Sequence, residues 1–235
     1  MGKFFDYDGP LMSFINRFAS LMWLGILTLV CCIPVVTAGA SLTAMYYTVF
    51  KMHDKDRGYV TGNFFHAFKT NLIKSTVLWL LVMVLFCILY ADFVILTMSV
   101  YQFPVILLGA TILIAIIFAL SVSYLFPLQA RFENTIKQTL KNAFLMSLFH
   151  LPKSILIIFL HVVPYVILYI YPVSYPAVLV LGLSAPAYFN AVLFLKIFEK
   201  YSPKEEMEDT QEEWHQEETI ESETADNQGF RDIKM

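Results

Sequence analysis

Between Phe18 and Phe50 the chain carries no charged side chain, and this run limits the possible folds more than any other feature. A bilayer core about 30 Å thick is crossed by about 20 helical residues. At about 1.5 Å per residue, the run would extend roughly 50 Å as a single helix. It is too long for one straight crossing, and it contains its own interruption, Cys31-Cys-Ile-Pro-Val-Val-Thr-Ala-Gly-Ala40. Pro34 forfeits a backbone hydrogen bond and clashes with the preceding turn, so a helix ends there. Thr37, Ser41 and Thr43 can bond the backbone groups so freed, while Ala38, Gly39 and Ala40 admit close packing. Pro34, Thr37, Gly39 and Ser41 are therefore the candidate hinge.

Three arrangements fit such a run. Lys3 and Arg17 ahead of an apolar stretch, with Ala38-Gly-Ala40 after it, have the outline of a cleaved signal peptide. Asp6 and Asp8 dilute the leading charge, however, and the apolar stretch exceeds a usual signal core. A re-entrant hairpin would return both ends to the same side. The expected arrangement is a single span over about 18–36 with the N-terminus outside, followed by a half-helix over 41–52 along the inner boundary.

Four further stretches are long and apolar enough to cross, at about 75–98, 103–129, 154–171 and 173–195. The chain is 58% hydrophobic and 15% charged, more apolar than a soluble core of this size can hide. Residues before Pro203 hold thirteen of the sixteen Lys/Arg and seven of the nineteen Asp/Glu, a balance of +6, and the tail holds the rest, −9. The expected class is an all-α, polytopic membrane helix bundle over 1–202 with about five spans, and an acidic, disordered tail over 203–235. The turns 99–102 and 172–176 hold no Lys or Arg, whereas 51–74, 129–153 and the segment from Lys196 are basic. The positive-inside rule then places the basic segments and the C-terminus in the cytoplasm. Tyr90, Tyr101, Tyr169, Tyr171 and Tyr175 gather toward the opposite ends, as an aromatic belt would.

Two cytoplasmic stretches have helical apolar spacing. Phe64, Phe65, Phe68 and Leu72 share one face of 61–72, and Phe132, Ile136, Leu140 and Phe144 share one face of 131–148, with lysines elsewhere. Such helices are expected to lie in the interface as elbows. Asn63-Phe-Phe with Lys74-Ser75 and Asn142-Ala-Phe with Lys153-Ser154 recur at an offset of 79, which hints at a parallel repeat of elbow plus span.

Ionisable groups inside spans are the candidate functional residues. His161 falls about 12 Å beyond Lys153, near mid-membrane, with Pro164 one turn later. Asp92 falls roughly 27 Å beyond Lys74, close to the outer surface. Arg131, Glu133 and Asn134 close the third span, and on a helix residues two apart point different ways, so Arg131 and Glu133 seek partners elsewhere. These four, Arg131, Glu133, Asn134 and His161, form the candidate polar cluster, with a structural lock as the competing role. Cys31, Cys32 and Cys87 lie in apolar runs with no ligand-spaced His or carboxylate, so no metal is expected. No phosphate-binding glycine loop, zinc-protease motif, nucleophile elbow or paired intramembrane carboxylates occur, so neither an enzyme nor a cofactor site is expected, nor a nucleic-acid partner.

The N-terminal Phe4-Phe-Asp-Tyr-Asp-Gly-Pro10, the hinge followed by Tyr46-Tyr47, Gly58-Tyr59 ahead of Phe64-Phe65, and Tyr124 with Arg131-Phe-Glu-Asn134 together resemble the YesL family of bacterial membrane proteins. The likeness extends to about Lys200. It implies a multi-pass protein of the bacterial plasma membrane. Family members often lie beside genes for plant-polysaccharide breakdown and sugar uptake, so an accessory role in carbohydrate uptake, with sugar transporter subunits as partners, is the expectation. The resemblance brings no established binding residues. The alternative is a non-transporting sensor or scaffold that holds a cytoplasmic partner through its basic elbows and acidic tail. A small autonomous transporter is a third reading, in which the hinge frames a midplane site with His161 or Arg131.

Overall fold

The computed structural model describes residues 10–53, 59–98 and 105–201, with side chains from Ile15 onward. The N-terminal motif 4–9, the turn at 99–102 and the tail 203–235 lie outside the described residues. Seven α-helices follow in order: α1 Pro10–Cys32, α2 Ala38–His53, α3 Val60–Met98, α4 Val105–Arg131, α5 Ile136–Phe149, α6 Leu151–Ile170 and α7 Tyr175–Phe198. Among the described residues there is no strand. Five helices, α1, α3, α4, α6 and α7, are long and apolar enough to cross a membrane, so the chain is an all-α, multi-pass membrane protein.

The break after α1 follows the sequence closely. The helix stops at Cys32, and Pro34 caps a short 3-10 turn over Val35–Thr37. The Thr37 hydroxyl donates to Cys31 O at 2.8 Å and Pro34 O at 2.9 Å, so it covers carbonyls that the broken helix leaves open. Ser41 and Thr43 return their hydroxyls to Thr37 O and Gly39 O within α2.

Beyond the break the chain turns back alongside α1. Arg17 of α1 donates to the Tyr188 hydroxyl at 3.3 Å, and His53 at the end of α2 bonds Tyr188 O at 3.0 Å while stacking on its ring. The start of α1 and the end of α2 thus meet at one residue of α7. Trp23 Nε1 also donates to Thr61 at the start of α3, at 2.8 Å. The two helices form a hairpin whose outer ends share one end of the bundle. Arg17 and His53 therefore lie at the same end of the α1–α2 pair. Helix α2 does not rest along a lipid boundary: it buries twelve of its sixteen residues. The cause is composition, because Ala40, Ser41, Thr43, Ala44 and Thr48 are too small and too polar to cover against lipid and fit instead between helices.

The two elbows also differ from the expected form. The first is not a separate element, since α3 runs unbroken for 39 residues from Val60 into its span. The second is separate. Thr135 and Gln138 form a capping box that starts α5, and Pro152 near the start of α6 prevents a continuous helix. On α5 the buried face is Thr139, Ala143 and Ser147, while Phe144 of the bulky stripe is exposed. Ile136 and Leu140 of that stripe are half-buried, and small side chains make the fully buried contacts.

The repeat at an offset of 79 extends into the packing. Ser75 and Ser154 are both fully buried, as are Leu78 and Ile157. Each serine meets a hydroxyl of an earlier helix at 2.9 Å, Thr43 of α2 in the first case and Tyr124 of α4 in the second.

Two compact units divide the chain at Leu193/Phe194. The described part of the second, 194–201, is the last turn of α7 with stacked rings of Phe194 and Phe198, closed by Glu199 N to Leu195 O and Tyr201 N to Phe198 O bonds.

Candidate functional site

The break at Pro34 sends α2 into the interior of the first unit, and this brings Tyr46 to His161. The Tyr46 hydroxyl lies 3.0 Å from His161 Nε2, with Tyr46 only 4% exposed. On the other edge of the imidazole, Nδ1 lies 2.9 Å from Ile157 O and 2.8 Å from Asn190 Nδ2. Asn190 Nδ2 also donates to Ile157 O at 3.2 Å. Three elements, α2, α6 and α7, therefore share one polar node.

The geometry admits two neutral tautomers. With the proton on Nδ1, the ring donates to Ile157 O and accepts from the Tyr46 hydroxyl at Nε2. With the proton on Nε2, it donates to Tyr46 and accepts from Asn190 at Nδ1. Heavy-atom positions do not separate these forms. Asn190 is fully buried and its Oδ1 has no hydrogen-bond partner. A second buried oxygen without a partner is Ser184 Oγ, two turns earlier on α7.

The other candidates lie apart from His161. Arg131 closes α4, Glu133 is exposed in the link to α5, and the Asn134 amide N–H donates to Phe132 O at 2.9 Å. The bonds of His161 go to Tyr46, Ile157 and Asn190, none of them to this segment. The link is flanked instead by Gln129, whose Nε2 donates to Asn71 Oδ1 at 3.2 Å and whose Oε1 accepts from Thr139 at 3.1 Å. Gln129 is 3% exposed and ties α3, α4 and α5 together. Of the hinge residues, Gly39 sits where a Cβ would come within 2.5 Å of both Ser75 O and Trp79 Cβ. The hinge thus docks on α3, next to the Ser75–Thr43 hydroxyl pair.

Sequence reasoning found His161 but missed Tyr46, Gln129 and Asn190. An amide or phenol in an uncharged run carries weak signal, although any polar residue at membrane depth must find a partner there. No group of three or more His, Cys, Asp or Glu suited to a metal occurs among the described residues. A cavity of about 580 Å³ lies between α3 and α4 with almost wholly apolar walls, from Trp79 to Phe93 on one side and Thr111 to Val122 on the other.

Residues 18–93 match the sequence family described as a protein of unknown function, DUF624. The matched stretch runs from α1 through the hinge and α2 into the outer part of α3, so this portion of the chain is similar to that family. No curated protein and no solved structure matches the chain.

Proposed function

We propose that this protein is an accessory of oligosaccharide uptake in the bacterial plasma membrane, working beside a separate transporter and moving no sugar itself. The observation that carries this reading is how the polar groups at membrane depth are used. His161, Tyr46, Ser75, Ser154 and Gln129 bond other protein groups and tie helices together. The cavity between α3 and α4 has apolar walls. A sugar site needs convergent polar groups to replace lost water, and an unpaired hydroxyl in such a cavity costs about 1–3 kcal/mol. The link to carbohydrate rests on the resemblance to the YesL family. The test is uptake of labelled oligosaccharide by vesicles. Vesicles with this protein alone are expected to match empty ones, and uptake is expected to rise when a co-purifying transporter is added. Uptake by the protein alone would overturn the accessory reading.

The scaffold reading keeps one supporting observation. Lys69 and Lys74 on α3 and Lys137 and Lys141 on α5 are exposed, at the basic end of the bundle. Loss of a co-purifying soluble protein on deletion of 203–235 would favour it.

In this proposal the basic ends face the cytoplasm, and so do both outer ends of the α1–α2 hairpin. Single cysteines at Asn16 and Tyr59, in a background without Cys31, Cys32 and Cys87, make this measurable. An impermeant maleimide is expected to leave both unlabelled in intact cells and to label both in inverted vesicles. Labelling of Asn16→Cys alone from outside would overturn this orientation in favour of a single span with the N-terminus outside.

A further inference from the structure

The cleft between α3 and α4 has an unequal construction. The α3 wall is bulky, with Trp79, Met83 and Phe86, while the facing side of α4 presents Ala115 and Ala119 between Phe118 and Val122. The two alanines leave a gap opposite α3, and about 580 Å³ is open, within the size range of ligand pockets. Apolar walls of this kind do not hold water well, because a buried water needs two to four polar partners. The natural filling at membrane depth is hydrocarbon.

The end of the cleft is chemically different. Thr111 lines it, and its hydroxyl donates to Asp92 Oδ2 at 2.7 Å. Asp92 is exposed, and neither α3 beyond Lys74 nor α4 before Arg131 supplies a cation to it. A carboxylate near a membrane span is costly unless it is paired or solvated at the interface. Tyr90 and Phe93, neighbours of Asp92 in sequence, line the cleft, and Tyr90 stacks on Phe86. Carboxylate and rings together favour a cation with a small apolar margin.

We propose that this cleft seats one membrane lipid whose headgroup carries an ammonium group, with an acyl chain between Phe86 and Ala119 and the ammonium at the Asp92 carboxylate. The charge decides the class of lipid. An anionic headgroup meets repulsion at Asp92, whereas an ethanolamine headgroup meets a counter-charge and a hydrogen-bond acceptor. The proposal is independent of any role in sugar uptake.

Native mass spectrometry of the full chain, titrated with phosphatidylethanolamine or phosphatidylglycerol of identical acyl chains, tests it. The wild type is expected to prefer phosphatidylethanolamine by about tenfold, the equivalent of one charge-assisted contact. Asp92→Asn is expected to bring the two lipids to near parity while retaining bound lipid, because the apolar walls remain. Ala119→Phe is expected to lose both lipids, and an unchanged melting temperature would show that it still folds. Equal binding of the two lipids by the wild type would overturn the proposal, as would a preference that survives Asp92→Asn. A wild-type dimer that Ala119→Phe converts to monomer would also overturn it and assign the cleft to a second copy.

Discussion

Gly25→Leu is expected to remove most of the folded protein from detergent extracts, the largest effect of any single glycine substitution in the described chain. Gly25 packs directly against the backbone of α7. A Cβ placed there would run into Val180 O, approach Val180 C to 2.9 Å and reach Ser184 Oγ at 3.2 Å. A side chain in the way can rotate, but a backbone carbonyl within a helix cannot move without breaking its own hydrogen bond. Overpacking costs about 1–3 kcal/mol where side chains give way, and a backbone obstacle belongs at or above the top of that range. The comparison is Gly109→Leu on α4, where nothing lies within 4 Å of the added Cβ. Thermal melting followed by size exclusion should show Gly109→Leu unchanged and Gly25→Leu melting far lower or eluting as aggregate. Equal melting of the two variants would mean that α1 does not lie this close to α7. Gly39→Ala should fall between them, because its Cβ meets Ser75 O and Trp79 Cβ at 2.5 Å and Phe126 Cε1 at 3.3 Å, farther from any backbone atom than at Gly25.

The contrast between these glycines explains what was legible in the sequence. Lengths of apolar runs, the stop at Pro34 and the hydroxyl repair at Thr37 follow from local rules, and they stand in the structure to within a few residues. Gly25 and Gly109 both occur in apolar helices, and nothing in their neighbours distinguishes the one that touches a backbone from the one that faces open space. The return of α2 alongside α1 was hidden for a related reason. Its small residues mark the break after α1, and they also form a buried helix face. In a membrane the bulky apolar residues gain nothing by turning inward, because lipid is as apolar as the core, so small and weakly polar residues take the protein contacts. The stripe Phe132, Ile136, Leu140, Phe144 misled on α5 for this reason, and Thr139, Ala143 and Ser147 took its place. His161 was legible because an ionisable group at mid-membrane needs partners. Tyr46 and Asn190 were not, since their role exists only once helices distant in sequence are placed together.

That node carries the second large expected effect. His161→Leu removes the bond between the Tyr46 hydroxyl and His161 and takes one acceptor from Asn190, inside a site where water has no access to Tyr46. A buried polar group stripped of its partner costs about 1–3 kcal/mol, so the variant should melt well below the wild type. Tyr46→Phe removes both the hydroxyl and its need for a partner, and should cost less. If the three side chains act as a unit, the double variant Tyr46→Phe/His161→Leu should be less destabilised than the sum of the two, by about 0.5–3 kcal/mol. Strict additivity would mean that Tyr46 and His161 make no energetic contact. His161→Gln separates structure from transport. Its amide can both donate and accept, so stability should largely return. With stability restored, an accessory protein should support uptake by its partner transporter as the wild type does. A stable His161→Gln that fails in that assay would place the imidazole in contact with a solute or a moving proton, and the buried Asn190 Oδ1 beside it would then be the first group to examine as a ligand.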